Sequence, residues 1–142
     1  MSRATTLYRI CAFVLLLFAA GHTFGFLTFE ASTADGRAVF QSMTAVHFQV
    51  RGSSFSYGGF YTGFGLSITA YLLFFAFLSW QLGTLANTHP EVVGFLGWAF
   101  CGVQVASVAL SWTYFSAAPA VFSGVLSLLL GWAAWLTERS IV

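Results

Sequence analysis

Residues 92–137, VVGFLGWAFCGVQVASVALSWTYFSAAPAVFSGVLSLLLGWAAWLT, carry no charged side chain in 46 positions. The hydrocarbon core of a bilayer is ~30 Å thick, and ~20 helical residues cross it. This stretch is long enough to cross twice, with a break at Ser116-Ala117-Ala118-Pro119. A second uncharged stretch covers 52–88, and an apolar run over 10–29 precedes it. The chain therefore reads as an all-α, four-helix transmembrane bundle. Its helices are expected over about 7–29, 58–82, 91–115 and 119–136. One transmembrane domain accounts for 1–142, with no room for a separate soluble module.

Composition agrees. Hydrophobic residues make up 58% of the chain and charged ones 6%, against roughly 25% charged in soluble domains. The net charge of +1 gives no electrostatic support for nucleic-acid binding. All basic residues are arginines, and none are clustered. Cys11 and Cys101 both lie in apolar runs and read as small buried hydrophobes. Arg3 and Arg9, the apolar run and Ala19-Ala20-Gly21 have the layout of a signal peptide. The run continues through Phe24, Phe26 and Phe29, well past a hydrophobic region of ~7–15 residues, which reads as an uncleaved first helix.

Four of the nine charged residues fall between Glu30 and Tyr57, the one substantial extramembrane segment. A short interfacial helix is expected over about 36–50, between the first and second long helices. Ser32 or Asp35 would cap it, and Arg51-Gly52-Ser53-Ser54 would end it. Phe40, Met43, His47 and Val50 share one face of such a helix, which would lie on the bundle with that face down. Gly21 and Gly25 form a Gly-x-x-x-Gly pair, read as a close-packing surface. Arginine counts of three (Arg3, Arg9, Arg139) against two (Arg37, Arg51) favour cytoplasmic termini. Aromatic belts would form from Trp80, Trp132 and Trp135 on the terminal side, and from Tyr57, Tyr61, Trp112 and Tyr114 on the other.

His22 lies within the first helix, ~10 Å from its outer end, where an ionisable residue usually faces the bundle interior. His47 shares the inner face of the expected interfacial helix on the same side. The two imidazoles are expected to converge on a ligand site, with Tyr61 and Gln104 as further contacts. The blander reading makes His22 a packing hydrogen-bonder and His47 an interfacial residue. Gln104 would then belong to a polar seam with Ser107 and Ser111. Two histidines could also hold haem iron or part of a metal site. There is no Cys-x-x-Cys-His motif or Glu-x-x-His pair, so no metal and no cofactor is assigned. His89, in a turn, and Glu30, at a helix end, read as solvated.

The segments Ala20-Gly21-His22-Thr23-Phe24-Gly25-Phe26 and Tyr57-Gly58-Gly59-Phe60-Tyr61-Thr62-Gly63-Phe64-Gly65 resemble those of a group of small, uncharacterised bacterial four-helix integral membrane proteins. The resemblance implies a bacterial inner-membrane protein and carries no activity or functional residues with it. More loosely, the size is similar to that of small four-helix membrane families such as the DoxX-like proteins.

These readings lead to an integral membrane protein that binds a small apolar ligand, lipid-, quinone- or isoprenoid-like, near His22 and His47. Transformation of that ligand is the stronger form of the same reading, so whether the protein is an enzyme is left open. The rival is a non-enzymatic accessory subunit of a larger membrane complex, and the third option is a haem or metal carrier. Expected partners are the lipid bilayer, the apolar ligand, and a membrane protein or a second copy of the chain.

Overall fold

A computed structural model describes residues 2–140. The elements run α1 (Arg3–Leu27), α2 (Ala34–Ala45), β1 (His47–Val50), β2 (Ser53–Ser56), α3 (Tyr57–Leu85), α4 (Pro90–Tyr114) and α5 (Ala117–Glu138). In lipid, backbone polar groups must be satisfied internally, and a helix does this within one segment. The four long helices α1, α3, α4 and α5 are each long and apolar enough to cross a membrane. The most apolar window of α1 is only 22% buried, as is that of α3. So much exposed apolar surface calls for a solvent other than water. The fold is the expected four-helix membrane bundle with a short helix between the first two long ones.

Helix ends follow local chemistry. Pro90 opens α4, where its missing N–H costs nothing. Thr33, rather than Ser32 or Asp35, caps α2 by accepting from the Gly36 N–H. Arg37 then ties the preceding loop by donating to the Ala31 and Ser32 carbonyls, 3.2 Å each.

The interfacial helix expected over 36–50 needs correction. α2 ends at Ala45, and His47 lies on β1, which pairs antiparallel with β2. Val46, Phe48 and Val50 alternate with polar residues, a period-2 pattern of strand formers that overrides the helical spacing. Arg51 (φ 49°) and Gly52 (φ 85°) both adopt left-handed conformations, as a two-residue turn of type I′ requires. The register sets Phe48 opposite Phe55 and Val50 opposite Ser53, with His47 opposite Ser56 and Gln49 opposite Ser54. Paired residues share a face. The hairpin therefore has one mainly apolar face (Phe48, Val50, Phe55, with Ser53 beside the turn) and one polar face (His47, Gln49, Ser54, Ser56).

The chain divides into two compact units, one of residues up to Phe18 and from Leu72 onward, the other of Ala19–Tyr71. In the first, Tyr8, Cys11 and Leu15 form a buried stripe on α1 at i, i+3, i+7. Ser79 donates to the Tyr8 carbonyl at 2.8 Å. Gly83 lets α3 approach Thr5 and Tyr8, and a Cβ at Gly97 would overlap the Tyr8 hydroxyl. α4 and α5, joined by Phe115 and Ser116, pack along their lengths as the expected hairpin. Leu126, Leu130 and Ala133 are buried on α5.

Glycine use corrects a second expectation. A Cβ at Gly21 or Gly25 meets nothing within 4 Å. These two are not the packing surface, because a Gly-x-x-x-Gly pair permits close approach without requiring it. Among the helix glycines with crowded faces are Gly58, Gly65, Gly83, Gly94 and Gly97.

Candidate functional site

The second unit holds the end of α1 from Ala19, α2, the hairpin and the start of α3 as far as Tyr71, and with them His22, His47 and Tyr61. His22 is half-buried on α1, and its Nε2 donates to the Gly65 carbonyl oxygen on α3 at 3.0 Å. That bond fixes the proton on Nε2 in the neutral ring and leaves Nδ1 as an acceptor. The imidazole stacks on Phe26 one turn along, with centroids 5.9 Å apart and planes 14° off parallel. Phe26 in turn sits where a side chain at Gly65 would be. One residue on, Thr23 donates to the Ala19 carbonyl at 2.8 Å. Its single hydrogen is thereby used, so the 2.8 Å contact with Thr69 has the Thr69 hydroxyl donating. Gly65 and Thr69, one turn apart on α3, thus receive His22, Phe26 and Thr23 of α1.

Aromatic rings carry the connection outward. Phe26 lies 5.3 Å from Tyr61, and Tyr61 meets Phe40 edge-on at 5.9 Å. Phe40 packs on Phe29 at 5.8 Å. Edge-on and tilted pairs at these distances suit the ring quadrupoles. The close approach of α2 to α3 depends on Gly58, where a Cβ would come within 3.1 Å of the Thr44 hydroxyl. Between these elements lies an open groove of about 410 Å³, walled by Phe26, Leu27, Phe40 and Tyr61 and floored by Gly58. Thr44 and Thr62 also face it, but their hydroxyls donate to the Phe40 and Gly58 carbonyls of their own helices. The Tyr61 hydroxyl has no hydrogen-bond partner among the described residues. It is left for a visitor, together with Ser56, which also lines the groove and whose hydroxyl accepts from the Gly59 N–H without donating among the described residues.

Of the four sequence-predicted site residues, Tyr61 lines this groove. His22 touches its wall through Phe26 without lining it. His47 is exposed on the polar face of the hairpin, and its Nδ1 donates to the Ala45 carbonyl at 2.9 Å. No hydrogen bond or ring contact joins it to His22 among the described residues. Gln104 belongs to the other unit, where it is 2% exposed and its amide has no hydrogen bond among the described residues. Its seam partner Ser107 is bonded to its own helix at the Val103 carbonyl.

Sequence reasoning does not single out Phe26 or Thr62 for the site, and it gives Phe40 only a place on the inner face of the expected interfacial helix. The aromatic–glycine run over 58–65 contains Thr62, and it contains Gly65, where the Phe26 ring takes the place of a side chain. Cys11 and Cys101 are free thiols, and Cys101 donates to the Ser127 carbonyl at 3.2 Å. No three His, Cys, Asp or Glu side chains come together among the described residues.

The fold and this site define an integral membrane protein with four apolar helices. Comparison with protein-family models, with curated proteins and with solved structures finds no match.

Proposed function

We propose that this membrane protein binds a small apolar ligand of lipid, quinone or isoprenoid type in the groove beside Tyr61. The observation that carries the reading is an aromatic-walled groove of about 410 Å³ lined by two residues, Tyr61 and Ser56, whose hydroxyl hydrogens have no partner among the described residues. Ligand sites are typically ~300–1,000 Å³, mainly apolar, with a few placed polar groups. Tyr61 would orient a ligand carbonyl or hydroxyl, and Phe26 and Phe40 would cover its apolar body. His22 would hold the wall in place through Phe26 and Gly65. A bacterial inner-membrane location with cytoplasmic termini fits the arginine distribution and the resemblance of the two glycine-rich segments.

The rival reading, an accessory subunit, draws on the exposed Phe95, Trp112 and Leu128, each more than 70% exposed. Native mass spectrometry from mild detergent separates the two. The wild type should carry an apolar adduct. Tyr61→Phe should weaken its retention, and Thr62→Phe, which fills the groove from an exposed position, should abolish it with the melting temperature unchanged. Identical adducts in all three proteins would rule the groove out. A stoichiometric protein partner with no small adduct would favour the subunit.

A further inference from the structure

A second apolar surface lies on the hairpin, next to the groove beside Tyr61, with Ser56 and Gly59 lining both. Phe48 packs on Phe55, Tyr57 and Phe60 at centroid distances of 6.1, 5.0 and 5.9 Å. Phe60 meets Phe64 edge-on at 4.7 Å. Val50, Phe55, Phe60 and Phe64 are each about half exposed, at 47%, 49%, 56% and 59%. Between Phe48, Val50, Phe55 and Phe60 is an open cleft of about 310 Å³. The opposite face of the hairpin is His47, Gln49, Ser54 and Ser56. This two-faced ribbon carries one charge, Arg51, at its turn.

The length of α3 sets the level of this ribbon. Its 29 residues extend ~43 Å at ~1.5 Å per residue. That exceeds the ~30 Å hydrocarbon core and matches the ~40–45 Å that includes both headgroup layers. The first turns of α3 therefore lie among headgroups, and Ser56 joins the hairpin to them with no linker. The apolar face is continuous, through Phe60 and Phe64, with the lipid-facing surface of a membrane-crossing helix. At the hairpin turn, Arg51 occupies a backbone conformation (φ 49°) that disfavours any residue with a side chain. The turn thus holds a cation one short strand, ~13 Å at ~3.3 Å per residue, from the start of α3, within reach of phospholipid phosphates.

We infer that the β1–β2 hairpin is a lipid-binding anchor. Phe48, Val50 and Phe55 face the acyl chains at the headgroup boundary, and Arg51 pairs with the phosphate of an anionic phospholipid. Continuity with the lipid-facing surface of α3 and the lone cation at the rim select a phospholipid over a protein as the occupant.

The test uses the full chain with Cys11→Ala and Cys101→Ala in nanodiscs of phosphatidylcholine and phosphatidylglycerol. Nitroxide labels are placed one at a time at Gln49, Val50, Ser54 and Phe55. Labels at 50 and 55 should be relaxed by oxygen and shielded from an aqueous nickel chelate, and labels at 49 and 54 should behave conversely. Separately, Arg51→Gln should reduce phosphatidylglycerol retained in native mass spectra by about fivefold, the scale of one basic residue at an anionic surface. Its melting temperature in detergent should not change. Loss of the alternation would overturn the anchor. So would shielding of 50 and 55 from both reagents, which would mean a protein covers the face. Equal lipid retention by Arg51→Gln would overturn the assignment of the phosphate.

Discussion

His22 donates from Nε2 to the Gly65 carbonyl oxygen at 3.0 Å, and the ring it stacks on, Phe26, fills the space above the same glycine. One backbone position on α3 thus serves as acceptor and as seat. Gly65→Ala should drive a methyl into the Phe26 ring and lower thermal stability in detergent by ~1–3 kcal/mol. Gly21→Ala and Gly25→Ala have empty space and should be neutral or stabilising by up to ~1 kcal/mol, as alanine is in a helix interior. Equal losses at all three positions would contradict this packing.

His22→Ala should cost ~0.5–1.5 kcal/mol, the net value of a typical hydrogen bond. His47→Ala should cost less, because its imidazole is exposed and bonds only to the neighbouring Ala45 carbonyl. Melting temperatures in one detergent decide it, and a larger loss at His47 would reverse the roles described for the two rings.

Gln104 offers a test with the opposite sign. A buried amide without a partner is a desolvation cost, and replacing it with an apolar group of similar shape removes that cost. Gln104→Met should leave stability unchanged or raise it by ~1 kcal/mol. A clear loss would mean that the amide is bonded in the membrane to something beyond this chain.

Gly52→Ala should weaken the hairpin by ~1–2 kcal/mol, because φ 85° is costly for any residue with a Cβ. Hydrogen exchange at the strand amides of β1 and β2 should accelerate, with exchange in α4 and α5 unaltered. Unchanged protection in the strands would argue against the left-handed turn.

Reporter fusions after Asn87 and Arg139 should report one compartment, and fusions after Ala31 and Ser116 the other. Opposite signals at Asn87 and Arg139 would remove the four-crossing topology.

The long helices were legible because a bilayer leaves the chain few options. Uncharged stretches of that length, with proline or small polar residues at the breaks, admit little besides helices. The segment after Thr33 was harder to read. Phe40, Met43, His47 and Val50 satisfy a helical period, and Val46, Phe48 and Val50 satisfy a strand period over the same residues. The turn decides between them, and arginine in place of asparagine or aspartate before Gly52 hides its type. Tyr61 was legible from its place beside the glycine run. Which glycine met a ring was not, since sequence spacing does not say which face of a helix another element approaches.

The two-residue link between α4 and α5 has a consequence for biogenesis. These helices can find each other as soon as the second leaves the ribosome, because closing so short a loop costs little entropy. Tyr8 of α1 donates to the Val93 carbonyl 85 residues away, so that bond must wait until α4 has been made. α1 already has α3 as a partner by then, through Ser79 and the Tyr8 carbonyl and through His22 and Gly65, so assembly can proceed as two helix pairs, α1 with α3 and α4 with α5, that join last through contacts such as Tyr8 to Val93.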